Sequence, residues 1–279
     1  VTIVQRGERL LPRDDMDVSD FITKRFKEEG ITILTKADTK KVTKNRTTKE
    51  LIIDHNGTMK KLKVEEILMA VGRKVNKEGL GLDDIGVKTG KGIIVDKYLR
   101  TSVKNIYAAG DCAGPYLFTH MAGYQAAIAL RNALFWGKSA INYSSVPWVT
   151  YLDPEIAHVG KSETELKKEG TDYILLSAEF SDVDRAICEG DTKGFVKVMV
   201  NKKGKILGAT LVGTGVGEQL PLYTLAIKKG MNVGTLYGII YSYPTMSEVS
   251  RKIGGQWYGR KLTPFRKKLL KGLFRLRGE

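Results

Sequence analysis

The sequence is poor in cysteine and in long apolar runs. Its 279 residues include two cysteines, Cys112 and Cys188, which are far apart and form neither a disulfide framework nor a CxxC metal-binding pair. No apolar stretch approaches the ~20 residues that cross a bilayer. These absences predict a cytoplasmic protein without a transmembrane segment or a metal site. An initiator methionine is also absent, and we expect further residues before Val1.

Acidic residues are scarce at the end of the chain. Between Arg251 and Glu279 there are ten Lys or Arg and one acid, within a formal net charge of +15. Residues 263–277 predict a basic amphipathic helix with an apolar face formed by Phe265, Leu269, Leu273 and Leu276. We interpret it as a helix packed on its own domain or on a partner subunit, with association with an anionic membrane as the alternative. No nucleic-acid partner is predicted, because no binding motif accompanies the charge.

The residues present favour a folded protein of about two domains, because 42% are apolar and 28% are charged. Strands and a helix alternate at first, and Asn56-Gly57 between two strand-like runs predicts a hairpin with a type I′ turn. The early strands are predicted at residues 1–4, 31–35, 51–54, 62–64 and, as a buried strand, 66–71. The first helix is predicted at residues 18–29.

The second half changes character near residues 142–146. Short strand-like runs there lie among helical patterns, which predicts an α+β domain with an antiparallel sheet. The strands are predicted at residues 148–151, 195–200 and 206–212. The helices are predicted at residues 162–169, 218–229 and 247–258.

The sharpest local feature is an apolar run, residues 106–109, that ends in Gly110-Asp111 before a predicted helix at 119–136. We interpret the run as a buried strand that places the carboxylate of Asp111 at the carboxyl edge of a parallel sheet, where α/β sheets bind ligands. Gly110 would let a ligand approach the backbone. The alternative is an Asp that caps the following turn.

Residues 101–111 resemble the second flavin-binding motif of the pyridine nucleotide-disulfide oxidoreductases, a family of FAD enzymes. Residues 1–12, 70–76, 146–160 and 195–218 resemble further family segments in the family's order. The resemblance implies an α/β and α+β fold with partial, Rossmann-like NAD(P)- and FAD-binding regions at 1–70 and 71–144. It also implies an α+β interface domain at 145–279 that forms a homodimer.

The family's GxGxxG loops and its CxxxxC redox disulfide are absent from this sequence. The resemblance therefore implies the carboxyl-terminal portion of an enzyme whose amino-terminal half is missing here, and we expect the chain alone to be inactive. The cofactors implied for the whole enzyme are FAD and either NADP or NAD.

The resemblance also assigns cofactor-binding residues. Asp111 would hydrogen-bond the ribityl chain of FAD, Gly110 would permit the close approach, and Gly72 lies where the chain returns to the FAD domain. The residues bordering the flavin ring would be Thr119, His120, Met121 and Ala122. A lone histidine beside a helix start is more often structural than an acid or base. Gln5 and Arg6 stand where NAD-using members place an acid, which favours NADPH, although arginines on a solvated loop are the alternative.

The catalytic pair is where the sequence departs from the family. Disulfide reductases place a His before a Pro, oriented by a Glu five positions later, whereas this chain has Tyr243 and Glu248. A phenol does not shuttle protons near neutrality as imidazole does. Mercuric reductases have a Tyr nearby but end in a cysteine pair that this sequence lacks. The 243–244 bond is predicted to be cis.

These observations favour an FAD-dependent NAD(P)H oxidoreductase acting on a disulfide or a metal ion, similar to mercuric reductase. The alternatives are an enzyme similar to dihydrolipoamide dehydrogenase and a non-catalytic module for dimerisation or membrane docking. In the module, the contacts to flavin would be vestigial. The substrate is not identified by the sequence.

Overall fold

Two compact units divide the chain in the computed structural model, which describes residues 1–276. The first unit contains Val1–Val71 together with Ser162–Thr171, and the second contains Gly72–Lys161 together with the residues from Asp172 onward. No helix among the described residues has both the length and the apolarity needed to span a membrane.

The first unit begins with a strand–helix–strand motif. Strands β1 (Thr2–Val4) and β2 (Thr32–Leu34) pair in parallel, and helix α1 (Met16–Glu28) connects them. Val18 and Ile22, one helical turn apart, are fully buried. The predictions for these three elements are confirmed, with boundaries shifted by one or two residues.

A three-stranded antiparallel sheet follows, in the order β3 (Ala37–Lys44), β4 (Lys49–His55), β5 (Thr58–Val64). The predicted hairpin is confirmed, because Asn56 and Gly57 both have positive φ, at 54° and 79°. A type I′ turn needs this conformation at both central positions. Strand β3 was not predicted, because its lysine-rich sequence has few apolar residues.

The predicted buried strand at 66–71 is wrong. These residues form no strand, and Leu68 and Val71 are 93% and 86% exposed. An all-apolar run becomes a buried strand only where neighbouring strands and flanking helices cover both of its faces. The described residues provide no such neighbours for this segment.

Helix α3 (Glu163–Lys168) belongs to the first unit although its chain neighbours lie in the second. Ser162 and Glu165 form a capping box at its start. The buried carboxylate of Asp15 accepts hydrogen bonds from the backbone N–H groups of Glu163 and Thr164 at 3.1 and 2.9 Å. Asp15 therefore joins residues that are far apart in sequence.

The second unit is built on a five-stranded antiparallel sheet, as predicted for the second half of the chain. Its order is β6-β7-β10-β9-β8, and the helices at residues 216–228 and 248–259 pack against it. The strands are β6 (Pro147–Thr150), β7 (Glu155–Gly160), β8 (Ile174–Glu179), β9 (Phe195–Val200) and β10 (Ile206–Gly213). The helices are α2 (Thr119–Leu134), α4 (Asp184–Glu189), α5 (Val216–Lys228), α6 (Glu248–Gly259) and α7 (Pro264–Leu276).

The predicted strand at 106–109 is also wrong. Tyr107 makes one isolated bridge with Arg100, and Ala108 is buried, but the described residues form no parallel sheet at this point. The apolar side chains of this segment pack in a small cluster with Val87 and Ile93 instead. Apolar composition alone does not distinguish a loop packed in such a cluster from a strand.

A buried hydroxyl pair connects α5 to α6. Tyr223 Oη lies 2.8 Å from Ser250 Oγ, and both residues are fully buried. Burial raises the pKa of Tyr223 above its ordinary value. The protonated phenol is thus favoured in the folded state, and this stabilisation is present below pH ~10 and lost as the pH rises through the raised pKa.

Replacing Tyr223 by Phe is expected to lower the free energy of unfolding by about 1–2 kcal/mol at neutral pH, because Ser250 loses its buried partner. The loss of stability above pH ~10 becomes shallower, because the group that titrates is gone. Urea unfolding across this pH range measures both effects. Tyr151→Phe, at a side chain 81% exposed, is the control. Parallel pH curves for Y223F and the unmodified chain would contradict the prediction.

Candidate functional site

A tight turn at Gly110 is the centre of the site. Gly110 has a φ of 82°, and a Cβ added there would lie 3.1 Å from the Cβ of Ala122 on α2. Its backbone N–H donates a hydrogen bond of 2.6 Å to Oε1 of Gln125. Both the backbone conformation and the close approach of the helix favour glycine.

Gln125 holds this turn in place, although no motif in the sequence points to it. The side chain is fully buried on α2. Besides accepting from Gly110, its Nε2 donates to Gly114 O at 2.9 Å and to Tyr143 Oη at 3.0 Å. A glutamine among the alanines and leucines of a helix was the only available signal, and such a residue is commonly exposed.

The turn presents the carboxylate of Asp111 to solvent. Its side chain is 52% exposed, and Nη1 of Arg73 lies 3.6 Å from its Oδ2. The same nitrogen donates to Leu117 O at 3.0 Å. The predicted position at the edge of a parallel sheet is wrong, because it is the Gly110 turn that positions the carboxylate. Gly72, with a φ of 139°, precedes Arg73 and starts the second unit.

The start of α2 lacks a side-chain cap at Phe118. The N–H groups of Met121 and Ala122 both donate to Phe118 O at 3.0 Å. Those of Thr119 and His120 have no partner within the helix, because the first N–H groups of any helix lack one. They point toward the helix's amino-terminal end, which carries partial positive charge.

Of the four residues predicted to border a flavin ring, Thr119 and His120 are exposed and Ala122 contacts Gly110. Met121 is 3% exposed, so its side chain packs inside the unit. The Nε2 of His120 lies 2.9 Å from Pro147 O, and a carbonyl only accepts, so this nitrogen carries a hydrogen. His120 links α2 to β6, which agrees with the structural role favoured for it.

A cavity of about 640 Å³ opens beside the start of α2. Its lining includes Thr119 and His120 of α2 and residues of β6 and α5. Its lining is predominantly apolar, with Trp148, Tyr151 and Leu220 among the larger side chains and two cations, Arg73 and Lys228. Ligand sites commonly combine an apolar wall with a few polar groups of this kind.

Gln5 and Arg6 lie at the end of β1 in the first unit. Gln5 N donates to Leu34 O at 2.8 Å, and its side-chain amide donates to Arg9 O at 3.3 Å. Arg6 is exposed, whereas Arg9 donates to Pro12 O at 3.1 Å. Of these two arginines, Arg6 is therefore the one whose side chain is available to a ligand.

Tyr243 is 70% exposed, and its hydroxyl donates to Oδ2 of Asp184 at 3.0 Å. This hydrogen bond raises the pKa of Tyr243 above its ordinary value, and the charge of Glu248 adds to the effect. Glu248 is the first residue of α6. The residue that accepts the hydrogen bond of the phenol, and so orients it, is Asp184 on α4. The Tyr243–Pro244 bond is cis, as predicted.

Neither Cys112 nor Cys188 forms a disulfide in the described part of the chain. Cys112 is half-buried, and its Sγ donates to Ala109 O at 3.2 Å. Cys188 is exposed on α4, one turn after Asp184. Among residues 1–276, no three His, Cys, Asp or Glu side chains are grouped to hold a metal ion.

Two sequence matches cover most of the chain. Residues 1–133 match the pyridine nucleotide-disulphide oxidoreductase family, and residues 146–253 match the dimerisation domain of the same family. The chain belongs to this family. Its members are flavin-dependent enzymes, and the mixed α/β fold with an antiparallel sheet agrees with theirs.

Individual relatives agree with this assignment. A mercuric reductase of Bacillus cereus is 35% identical over 251 residues, which are 89% of this chain and 40% of that protein. A dihydrolipoyl dehydrogenase of Geobacillus stearothermophilus is 34% identical over 90% of this chain and 54% of its own length. The chain therefore spans about half the length of the curated relatives it matches.

Among solved structures, the HOCl-induced flavoprotein disulfide reductase RclA from Escherichia coli superposes with a TM-score of 0.85. It is 26% identical, and the match covers 91% of this chain and 59% of that one. A Cu(II) complex of RclA superposes equally well. The names of these relatives thus refer to a metal ion in one case and to disulfides in another.

Proposed function

We propose that this chain provides the flavin-contacting turn and the dimerisation domain of an FAD-dependent NAD(P)H oxidoreductase that acts on a disulfide or a metal ion. The observation that carries the proposal is the Gly110-Asp111 turn, held by Gln125 against the uncapped start of α2. Asp111 alone is a common surface feature. The fixed turn, the half-exposed carboxylate and the free N–H groups together fit a polyhydroxylated cofactor with a heteroaromatic ring.

The residues present fit FAD in three ways. The carboxylate of Asp111 would accept hydrogen bonds from ribityl hydroxyls. Gly110 has no side chain to hold the cofactor away from the backbone. The N–H groups of Thr119 and His120, at the positive end of the helix dipole, would stabilise negative charge on the bound cofactor. When bound, FAD supplies the electron transfer between a nicotinamide and the acceptor.

For the nicotinamide cofactor we favour NADP. Gln5 carries no charge at the position where an acid would repel a 2′-phosphate, and Arg6 offers an exposed guanidinium next to it. An Arg–phosphate pair is a strong, charge-assisted contact. We expect Arg6→Glu to reverse the enzyme's preference for NADPH over NADH. Such a reversal would support this choice.

Tyr243 and Glu248 are the proposed groups at the acceptor. Because its pKa is raised, Tyr243 stays protonated across the physiological range and acts as a hydrogen-bond donor or a metal-facing phenol. A proton shuttle of the histidine type is not available at this position. This chemistry favours a metal-ion acceptor, similar to that of mercuric reductase, over lipoamide or glutathione.

A homodimer formed through residues 145–279 is part of the proposal, with residues 1–70 and 71–144 contributing to the NAD(P)- and FAD-binding domains. The exposed apolar surface of the second unit supports the interface. Ile240 is 97% exposed and Ile187 is 56% exposed, close in sequence to Tyr243 and Asp184 respectively. Contiguous exposed apolar patches mark interaction surfaces, and the hydrogen bond between Tyr243 and Asp184 brings together the two segments that carry these side chains.

The test is made on the longer enzyme that the proposal implies, and it records the flavin absorbance of the purified protein. We expect bound FAD and NADPH oxidation, and Asp111→Ala is expected to weaken FAD binding about tenfold to a hundredfold, because it removes a charged hydrogen-bond acceptor. Asp84→Ala removes an exposed carboxylate of the same unit as the control. A colourless dimer would contradict the proposal and favour the non-catalytic module.

A further inference from the structure

Helix α7 is not packed against the rest of the described chain. Every described side chain from residue 261 to 275 is exposed, including Phe265 at 76%, Leu269 at 56% and Leu273 at 48%. The part of the preferred prediction that places the helix on its own domain is therefore wrong for the described residues, whereas its other part, packing on a partner subunit, stays a prediction. Arg277, the last residue of the predicted helix, lies outside the described residues.

The helix separates apolar from basic side chains. At 100° per residue, Phe265, Leu269 and Leu273 lie within about 80° of one another. Leu270 and Phe274 extend this apolar face, and they are 39% and 48% exposed. The cations occupy the opposite side as a second group: Lys267, Lys268, Lys271 and Arg275.

Arg266 is the exception, because its position falls within the apolar face. Its guanidinium turns back and donates to Lys261 O at 3.1 Å, beyond the start of α7. The charged group is thus held away from the face, which the aliphatic part of the side chain continues. The apolar face is not interrupted by a free charge.

The charged side chains of α7 and of the segment that leads to it are all positive. The sequence contains no acid from Val249 to Gly278. The cations of α7 therefore have no acidic neighbour on the helix or in the segment that leads to it. A partner must supply the negative charge and, at the same time, cover several large apolar side chains.

We propose that α7 docks on an anionic lipid bilayer, lying in the plane of the interface. A helix of 13 residues is about 20 Å long, too short to cross the membrane. In the interface, the apolar face is buried at the acyl boundary while the lysines meet the lipid phosphates. A nucleic acid satisfies the cations but leaves the apolar face in water, and a second copy of the helix covers that face but leaves the cations unpaired.

The test is co-sedimentation of the full chain with phosphatidylcholine vesicles, with and without phosphatidylglycerol. We expect binding that depends on phosphatidylglycerol and weakens at high salt. Lys267→Gln/Lys268→Gln/Lys271→Gln is expected to weaken it on the order of a hundredfold. Leu269→Gln/Leu273→Gln is expected to weaken it tenfold or more, because two leucines lose their burial.

The matched control is Lys91→Gln/Lys104→Gln/Lys203→Gln, which removes the same charge from exposed lysines elsewhere. Equal loss in this control would overturn the proposal in favour of a net-charge effect. Equal binding to neutral vesicles would also overturn it, as would binding to an RNA oligonucleotide without binding to vesicles. A third contrary result has two parts: the unmodified chain does not bind vesicles, and the leucine variant differs from it in mass by light scattering. None of these readouts depends on flavin or on enzyme activity.

Discussion

Replacing Gly208 by alanine is expected to lower the free energy of unfolding of the second unit by about 3 kcal/mol or more. Gly208 lies in β10, opposite Gly160 of β7. A Cβ added there would collide with the backbone carbonyl oxygen of Lys161. A backbone atom cannot rotate away as a side chain does, so β10 and β7 must separate locally.

Urea unfolding followed by circular dichroism measures this change. Gly259→Ala is the control, because a Cβ added at Gly259 meets no atom within 4 Å. Its position at the end of α6 makes the substitution neutral or stabilising by up to ~1 kcal/mol. A loss below about 1 kcal/mol at Gly208 would show that β7 and β10 move apart there at little cost.

The elements that the sequence predicted correctly are those determined by short-range signals. The turn at Asn56-Gly57 needs two adjacent residues with positive φ, and α1 needs apolar residues one turn apart. Each signal lies within a few residues of the structure that it produces. Similar local patterns predicted α5, α6 and the core strands β9 and β10.

The two wrong strands failed for a different reason. Residues 66–71 and 106–109 are apolar enough for a buried strand, but a strand also needs partners, which come from elsewhere in a chain. Local composition carries no information on whether those partners are present. The expectation that α7 packs on its own domain, one half of the prediction for this helix, failed for the same reason, because amphipathicity does not identify what covers the apolar face.

The candidate site shows the same division. Gly110 and Asp111 were found because they are adjacent in a recognisable motif. Gln125 and Asp184 were missed because they act across the fold. Gln125 is 15 residues from the N–H that it accepts from, and Asp184 is 59 residues from Tyr243. The residues that position a site are commonly brought to it by tertiary packing, whereas those that contact a cofactor are often grouped in a loop.

Replacing Gln125 by leucine is the second change with a large expected effect. The two side chains are similar in size, but leucine leaves the Gly110 N–H, the Gly114 carbonyl and the Tyr143 hydroxyl without the partner they have now. Each buried polar group left unpaired costs about 1–3 kcal/mol. We expect the turn to lose about 3 kcal/mol or more of local stability.

Hydrogen exchange locates the effect. The amide of Gly110 is expected to exchange on the order of a hundredfold faster, while the amides of β9 and β10 change little. Gln256→Leu is the matched control, since Gln256 also bonds backbone groups, those of Ser177, but on the exposed side of α6. In the longer enzyme that the proposed function implies, Q125L is further expected to lose FAD, because the turn that presents Asp111 is no longer fixed. Unchanged exchange at Gly110 would instead assign the conformation of the turn to its contact with Ala122, and FAD binding would then survive the substitution.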